Sequence, residues 1–166
     1  MAHNAARLAQ TAKILGIPVI ATTQINFGPI SGMVSAKHHP GVKVFEGKKQ
    51  FSMMTPEVDS YFRSLGRTSV VLYGCEAHIC VKQTALDLLA WGVNVFVVVD
   101  AVTSMQIHDR NVGLQEVRDA GARLVTFQSL LFDLLRTTEH PKFKKFLPVV
   151  KLSPTVPLDM MVLPKL

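Results

Sequence analysis

Short apolar runs alternate along this chain with stretches in which apolar residues recur at helical spacing. Strand-like runs cover residues 17–23, 69–73, 93–100 and 123–127, with a shorter alternating segment at 42–45. Helical patterns cover residues 5–15, 55–65, 80–91, 104–119, 130–135 and 140–146. Near-continuous apolar strands are typical of a parallel sheet that is buried on both faces. The alternation therefore predicts an α/β domain with a mostly parallel sheet and right-handed crossovers.

The 166 residues fit one domain, and no repeat or linker divides them. Thr55 and Pro56 predict a capped helix start, and Ser129 is the expected cap of the helix at 130–135. We expect the domain to cover residues 1–147. Four prolines interrupt the apolar tail at 148–166, which packs on the domain, packs on a second subunit or is partly disordered.

The composition of the chain limits the kinds of molecule that it is expected to bind. The formal net charge of +6 is spread along the chain, which favours a solvated basic surface over a nucleic-acid site and weakly favours anionic substrates. Cys75 and Cys80 suit neither a disulfide nor a metal, so a reduced, cytoplasmic protein is expected. His38 and His39 have no third ligand nearby, and no run reaches the ~18–20 apolar residues of a membrane span.

Cys80 has a reactive side chain, and its position in the chain suggests a chemical role. It lies where a predicted strand turns into a helix, and the free N–H groups and dipole of a helix start favour the thiolate. A buried cysteine that acts as a small hydrophobe is the alternative. Lys48 is a candidate cation to stabilise the thiolate, and His78 is the alternative. The turn between Cys75 and Cys80 offers backbone N–H groups that could bind an oxyanion.

These residues lie in a recognisable motif, since GCEAHICV resembles the nucleophile motif of isochorismatase-like cysteine hydrolases, a superfamily that includes nicotinamidases and N-carbamoylsarcosine amidohydrolase. Further segments are similar in order: KILGIPVIATTQ, EGKKQFSM, VKQTALDLLAWGVNVFVVVDAVTS, DRNVGLQEVRDAGARLVT and HPKFKK. The last three of these segments resemble the isochorismatase domain-containing proteins in particular. The resemblance spans about residues 5–145 and implies a three-layer, Rossmann-like fold, a homo-oligomer and no cofactor.

The resemblance also implies roles for individual residues. Cys80 matches the nucleophile and Lys48 the catalytic lysine, while Lys49 falls on a variable position. The Cys75–Glu76 bond matches a non-proline cis peptide, which costs ~3–4 kcal/mol. The oxyanion hole would come from backbone near Cys75, Glu76 and Ala77 and from the N–H of Cys80. Residues expected in the substrate pocket are Gln24, Phe51, His78 and Ile79, and no metal site is expected.

Two departures from the family pattern bear on activity. The family's triad begins with an aspartate on a strand before the first helix, and this chain shows neither that strand nor that aspartate. Either the chain is a fragment or short isoform, or another carboxylate substitutes for this aspartate. Asp100 is the one carboxylate in place to do so. The segment TTQINFGP also differs near the pocket. The expected function is therefore a metal-free cysteine hydrolase for a small amide or related substrate, or a catalytically impaired binding or oligomer-forming module.

Overall fold

The computed structural model describes residues 2–25 and 41–151. Helices and strands alternate along them as the apolar pattern predicts. In chain order they are α1 Ala2–Leu15, β1 Val19–Gln24, β2 Val42–Lys48, α2 Pro56–Ser64, β3 Ser69–Cys75, a π-helical turn Ala77–Val81, α3 Lys82–Ala90, β4 Asn94–Thr103, α4 Ile107–Asp119, β5 Arg123–Val125, α5 Phe127–Leu135 and α6 Phe143–Lys151. No helix in these ranges is long and apolar enough to cross a lipid bilayer.

Every strand pair within residues 2–25 and 41–151 is parallel, which confirms the predicted α/β class. The strands form two sheets among the described residues, one of β1 and β2 and one with the order β3–β4–β5. The edges of β1 and β3 face a common groove of about 1220 Å³. The carboxyl ends of the strands meet at one end of this groove, where Gln24 of β1 contacts Lys48 of β2.

Helices cover both faces of the sheet and form two apolar cores. On one face, α2, α3 and α4 contribute Phe62, Leu88 and Leu114. On the other face, α1, α5 and α6 contribute side chains such as Leu8, Phe127 and Phe146. The central strand β4 supplies both cores, because successive side chains of a strand point to opposite faces. This is the predicted three-layer arrangement.

Two predicted helix ends are wrong. Thr126, and not Ser129, caps α5, because its hydroxyl accepts the Ser129 N–H at 3.2 Å. The last helix continues past residue 147 through Pro148 to Lys151. Proline inside a helix costs about 3 kcal/mol, but Val149 is fully buried in the core beside α5 and offsets that cost. The predicted domain end therefore lies inside α6, and residues 152–166 of the predicted tail lie outside the described residues, as do His38 and His39.

Arg7 of α1 holds α6 in place. Its guanidinium donates to the carbonyl oxygens of Val149 at 2.8 Å and Val150 at 3.3 Å. It also lies 4.0 Å from the centre of the Phe127 ring, and only 4% of the residue is exposed. Cations near the end of a helix complement its exposed carbonyl groups.

The substitution Arg7→Met is expected to lower the free energy of unfolding by about 2–3 kcal/mol, because it leaves buried carbonyl groups without their charged donor. Urea denaturation measures this change. Lys13→Met is the matched control, since Lys13 lies on the same helix and is exposed, and it should change the unfolding free energy by less than about 0.5 kcal/mol. Equal effects of the two substitutions would contradict the assigned role of Arg7.

Candidate active site

Cys80 lies in the π-helical turn that connects β3 to α3. The prediction placed it at or just before the first turn of α3, and the structure has it in this wider turn, just before the α-helix begins. Ile79 and Val81 both donate their N–H groups to the carbonyl oxygen of Glu76, at 3.1 and 3.2 Å. The sulfur-bearing residue is half-buried and lines the groove between β1 and β3. Single π turns of this kind are frequent at functional sites.

The predicted cis bond between Cys75 and Glu76 is wrong, because the described residues contain no cis peptide bond. The trans form is favoured by about 3–4 kcal/mol for non-proline residues. The chain turns instead through Glu76 itself, which adopts a left-handed conformation with φ 58° and ψ 72°. Left-handed glutamate is uncommon and needs support from the surrounding structure.

Lys48 brings a cation to the cysteine. It ends β2 and is only 9% exposed. Its ammonium donates to the Gln24 side-chain oxygen, to the Gln50 carbonyl at 3.0 Å and to the Phe51 carbonyl at 2.7 Å. The same nitrogen lies 3.8 Å from Sγ of Cys80. The three oxygen acceptors are neutral, so they orient the ammonium without cancelling its charge.

Thr84 ties these two segments together, and sequence reasoning missed it. Its hydroxyl donates to the Cys80 carbonyl at 2.7 Å and accepts the Met53 N–H at 2.9 Å. Only 1% of Thr84 is exposed. A threonine in a helix can bond back to the carbonyl of the residue four positions before it, and the spacing of Cys80 and Thr84 was the available signal. The hydroxyl therefore fixes the cysteine backbone against the loop that follows Lys48.

Ser104, at the end of β4, anchors the start of the π turn. Its hydroxyl accepts the Ala77 N–H at 3.0 Å and contacts Nδ1 of His78 at 3.3 Å. The Ala77 N–H, predicted near the oxyanion hole, is therefore already bonded. The His78 ring lies between the carboxylates of Glu76, at 3.5 Å, and Asp109, at 3.8 Å. His78 is not among the groove-lining residues, which is at odds with its predicted place in the pocket.

The other residues predicted at the site do border one space. The groove is lined at this end by Gln24, Lys48, Phe51, Cys75, Glu76, Ile79 and Cys80. Phe51 leaves 52% of its surface exposed, and so forms an open part of the wall. A small substrate in the groove can thus reach the sulfur of Cys80 and the Lys48 ammonium together.

Asp100, the predicted substitute for the family's aspartate, lies away from the Cys80–Lys48 pair. Its carboxylate accepts the Phe127 N–H at 2.8 Å, on the α5 side of the sheet, and interacts with the charges of Arg7 and Arg110. Among the described residues, no carboxylate forms an ion pair with Lys48. Nor does the described part of the chain contain three metal-ligating side chains in one cluster. The site as described is a thiol and an ammonium without an acidic partner.

Comparison with known proteins gives the family. The family model of the isochorismatase domain matches residues 1–129. The chain belongs to the isochorismatase domain family. Isochorismatase domain-containing protein 1 of Danio rerio is 39% identical over 148 residues, which are 89% of this chain and 52% of that protein. This isochorismatase domain therefore spans about half the length of the first curated relatives it matches, which include the Salmo salar protein of the same name.

Solved structures agree with this assignment. The MAR1 ribonuclease from Caenorhabditis elegans is 35% identical, with a TM-score of 0.87 over 99% of this chain and 84% of that chain. The YcaC protein of Escherichia coli, described as an octameric hydrolase of unknown specificity, is 19% identical with a TM-score of 0.76. That match covers 90% of this chain and 81% of YcaC, and it shows a shared fold.

The second cysteine of the isochorismatase domain has a different environment. Cys75 ends β3, and no lysine or arginine of the described residues forms a hydrogen bond with its sulfur, whereas Lys48 contacts that of Cys80. Partial burial raises the pKa of its thiol, and the neighbouring Glu76 carboxylate and Cys80 raise it further. Cys75 is exposed, and because the thiolate is the reactive form, we expect it to serve as a slower-reacting internal reference for measurements on Cys80.

Removing the Thr84 hydroxyl is expected to loosen the site of the isochorismatase domain without unfolding it. Thr84→Val keeps the shape but leaves the Cys80 carbonyl and the Met53 N–H without their partner, so alkylation of Cys80 should slow about tenfold. Thr84→Ser keeps the hydroxyl and should stay within about twofold of the parent rate. Equal alkylation rates in the valine and serine variants would show that the hydroxyl does not position Cys80.

Proposed function

We propose that this isochorismatase domain belongs to a metal-free cysteine hydrolase that acts on a small amide or related substrate. Cys80 is the nucleophile, and Lys48 stabilises its thiolate. The observation that carries the proposal is the separation of 3.8 Å between Nζ of Lys48 and Sγ of Cys80 at the wall of an open groove. A neighbouring cation favours the nucleophilic thiolate, and members of this family are generally hydrolytic.

The proposed reaction has two stages. The Cys80 thiolate attacks the substrate carbonyl carbon, backbone N–H groups near Glu76 and of Cys80 hold the oxyanion, and the C–N bond breaks as the amine leaves with a proton. Water then attacks the thioester, which releases the carboxylic acid and restores the thiol. A general base must take the thiol proton and return it to the amine, and the family resemblance assigns this task to an aspartate that the described residues do not supply.

A second candidate function is suggested by the described residues, among which no carboxylate pairs with Lys48. A family member that lacks its base can serve as a binding or oligomer-forming module on the same fold. Loss of a general acid–base typically lowers the rate by about 10²–10⁴-fold.

We also propose that the chain forms a homo-oligomer, as the octameric YcaC does with this fold. Light scattering at micromolar concentration measures the assembly, and a monomer would contradict this part of the proposal.

Turnover of small amides separates the two functions. A panel of aliphatic and aromatic primary amides is incubated with the parent chain, Cys80→Ser and Cys75→Ser, and ammonia release is followed. The hydrolase proposal predicts release by the parent and by Cys75→Ser, and a loss of at least about 10²-fold in Cys80→Ser. Release that persists in Cys80→Ser would overturn the assigned nucleophile, and no release from any amide would favour the binding module.

A small molecule, and not RNA, is the proposed substrate. The name of the C. elegans relative includes ribonuclease, and the net charge of this chain is +6, so RNA is the alternative to test. Phosphate binding by Lys and Arg makes affinity fall steeply with salt. We expect weak RNA binding with a flat salt dependence, and an affinity that drops by about 10³-fold between 50 and 200 mM salt would contradict this expectation.

A further inference from the structure

His78 does not line the groove, yet its ring joins three segments around the π turn. Nδ1 lies 3.3 Å from the hydroxyl oxygen of Ser104 and 3.5 Å from a carboxylate oxygen of Glu76. Nε2 lies 3.8 Å from a carboxylate oxygen of Asp109. Ser104 directly follows β4, Glu76 precedes the turn, and Asp109 lies in the first turn of α4. The ring therefore connects the turn that carries Cys80 to two elements outside it.

The partners of the ring suit its protonated form. A neutral imidazole has one N–H donor and one acceptor nitrogen, so in either tautomer an acceptor nitrogen lies beside a carboxylate. The imidazolium has donors on both nitrogens and a charge that attracts both carboxylates. Within residues 2–25 and 41–151, no lysine or arginine forms an ion pair with Glu76 or Asp109. His78 is therefore the cation available to these two carboxylates in that part of the chain.

Other ionisable groups on the neighbouring turns and strand ends are Cys75, Cys80, Lys82, His108, Arg110 and Glu116. Arg110 donates to two backbone carbonyl oxygens of β4, and Lys82 forms an ion pair with Glu116 at 2.9 Å. The cationic side chains next to the turn are thus engaged elsewhere. In the cluster of Glu76, His78 and Asp109, the ring is the group whose charge ordinarily changes between pH 5 and 8.

The position of Glu76 matters for Cys80 because the Glu76 carbonyl oxygen organises the turn. That oxygen accepts the N–H groups of Ile79 and Val81, the residues on either side of Cys80. Glu76 is also left-handed, a conformation that a residue other than glycine keeps only where the surrounding structure holds it. A ring that fixes the Glu76 side chain to α4 therefore fixes the backbone that carries the sulfur.

We propose that His78 is a positioning residue for the nucleophile. Its imidazolium links Glu76 to Asp109, and so holds the π turn in the conformation that places Cys80 beside Lys48. When the ring loses its proton, one of the two carboxylate contacts is lost and the turn loosens. The inference rests on Cys80 as the proposed nucleophile, and it adds a residue that touches no substrate.

Iodoacetamide alkylation of Cys80 tests this role, with each variant compared with the parent at the same pH. His78→Phe keeps the size of the ring but removes both nitrogens, so Cys80 should react about tenfold more slowly at pH 6. At pH 8, where histidine is ordinarily neutral, the difference should shrink to about twofold. His78→Gln can still donate to one carboxylate, so it should be about threefold slower than the parent at pH 6 and match it at pH 8.

Asp109→Ala separates positioning from a direct effect of charge on the thiol. A cation near the sulfur favours the thiolate, and a carboxylate near it disfavours the thiolate. If charge alone acted, removing the Asp109 carboxylate would leave Cys80 as reactive as in the parent or more reactive. Positioning predicts the opposite, with alkylation about fivefold slower at pH 6, because the ring loses its anchor on α4.

His108→Gln is the matched control, since it removes the neighbouring, exposed histidine of α4. Its rate should stay within about twofold of the parent rate at both pH values. Urea denaturation identifies the folded variants, and His78→Gln carries the pH comparison if His78→Phe does not fold.

Three results would each overturn the inference. They are a parent-like rate in folded His78→Phe, a deficit of that variant that is the same at pH 6 and pH 8, and an Asp109→Ala rate at or above that of the parent. None of these rates depends on turnover. Failure of the hydrolase proposal, seen as no ammonia release from any amide, is therefore distinguishable from failure of this inference.

Discussion

Replacing Gly113 by alanine is expected to slow the alkylation of Cys80, and any turnover that depends on it, by about 10²-fold. Gly113 lies on α4 where that helix touches the π turn. A Cβ at this position would lie 2.6 Å from both the backbone N and the Cα of His78, and 2.7 Å from the carbonyl carbon of Ala77. These are backbone atoms, so the turn itself must move, and a displacement of about 1 Å at a reacting group can cost 10²-fold in rate.

The matched control for this substitution is Val112→Ala. Val112 is the neighbouring residue on α4 and is 57% exposed, so the turn should keep its position in that variant. Urea denaturation of both variants shows whether the domain is still folded. A folded Gly113→Ala variant whose Cys80 is alkylated as fast as in the parent would show that this close packing does not position the nucleophile.

Replacing Lys48 by methionine is expected to lower turnover and Cys80 alkylation by on the order of 10²-fold. Methionine has a similar length but no charge. An ammonium about 4 Å from a thiolate is worth about 4 kcal/mol at an effective dielectric constant near 20, and the partial exposure of Cys80 reduces this value. The loss of the cation therefore removes a stabilising interaction that only the thiolate form has.

Lys49→Met is the control for a general effect of positive charge in this region. Lys49 is the next residue along the chain and is exposed, and the family resemblance places it on a variable position. It should change the rate by less than about twofold, since exposed charges interact weakly across solvent. Similar losses in the two variants would mean that the overall charge of the region, and not the contact at Cys80, controls the thiol.

The alternation of elements was predictable because burial imposes a period on the sequence. The runs at 69–73 and 93–100 are apolar at nearly every position because β3 and β4 carry helices on both faces. The resemblance indicated Cys80 and Lys48 as partners. Their contact joins residues 32 positions apart, and no local pattern encodes such a distance. The local pattern also misplaced the end of α6, because the burial of Val149 outweighs the helix penalty of Pro148.

The supports of the site could not be read from the sequence. Ser104, Thr84 and Gly113 act through a few tertiary contacts, most of them with the backbone around the π turn. A serine, a threonine and a glycine occur at many positions without such a role. The left-handed conformation of Glu76 was likewise not predictable from the sequence, since a residue other than glycine disfavours it. Tertiary packing therefore decided the supports that sequence reasoning missed, whereas the trans bond at Glu76 is the intrinsic preference of a non-proline peptide.

The central claim is that Lys48 makes the Cys80 sulfur an activated nucleophile, and thiol alkylation tests it most directly. The native chain is treated with iodoacetamide at pH 7, and peptide mass spectrometry follows Cys80 and Cys75 in the same sample. The account predicts that Cys80 reacts at least about tenfold faster than Cys75, and that Lys48→Met removes most of this difference. Equal rates at the two cysteines in the native chain would contradict it.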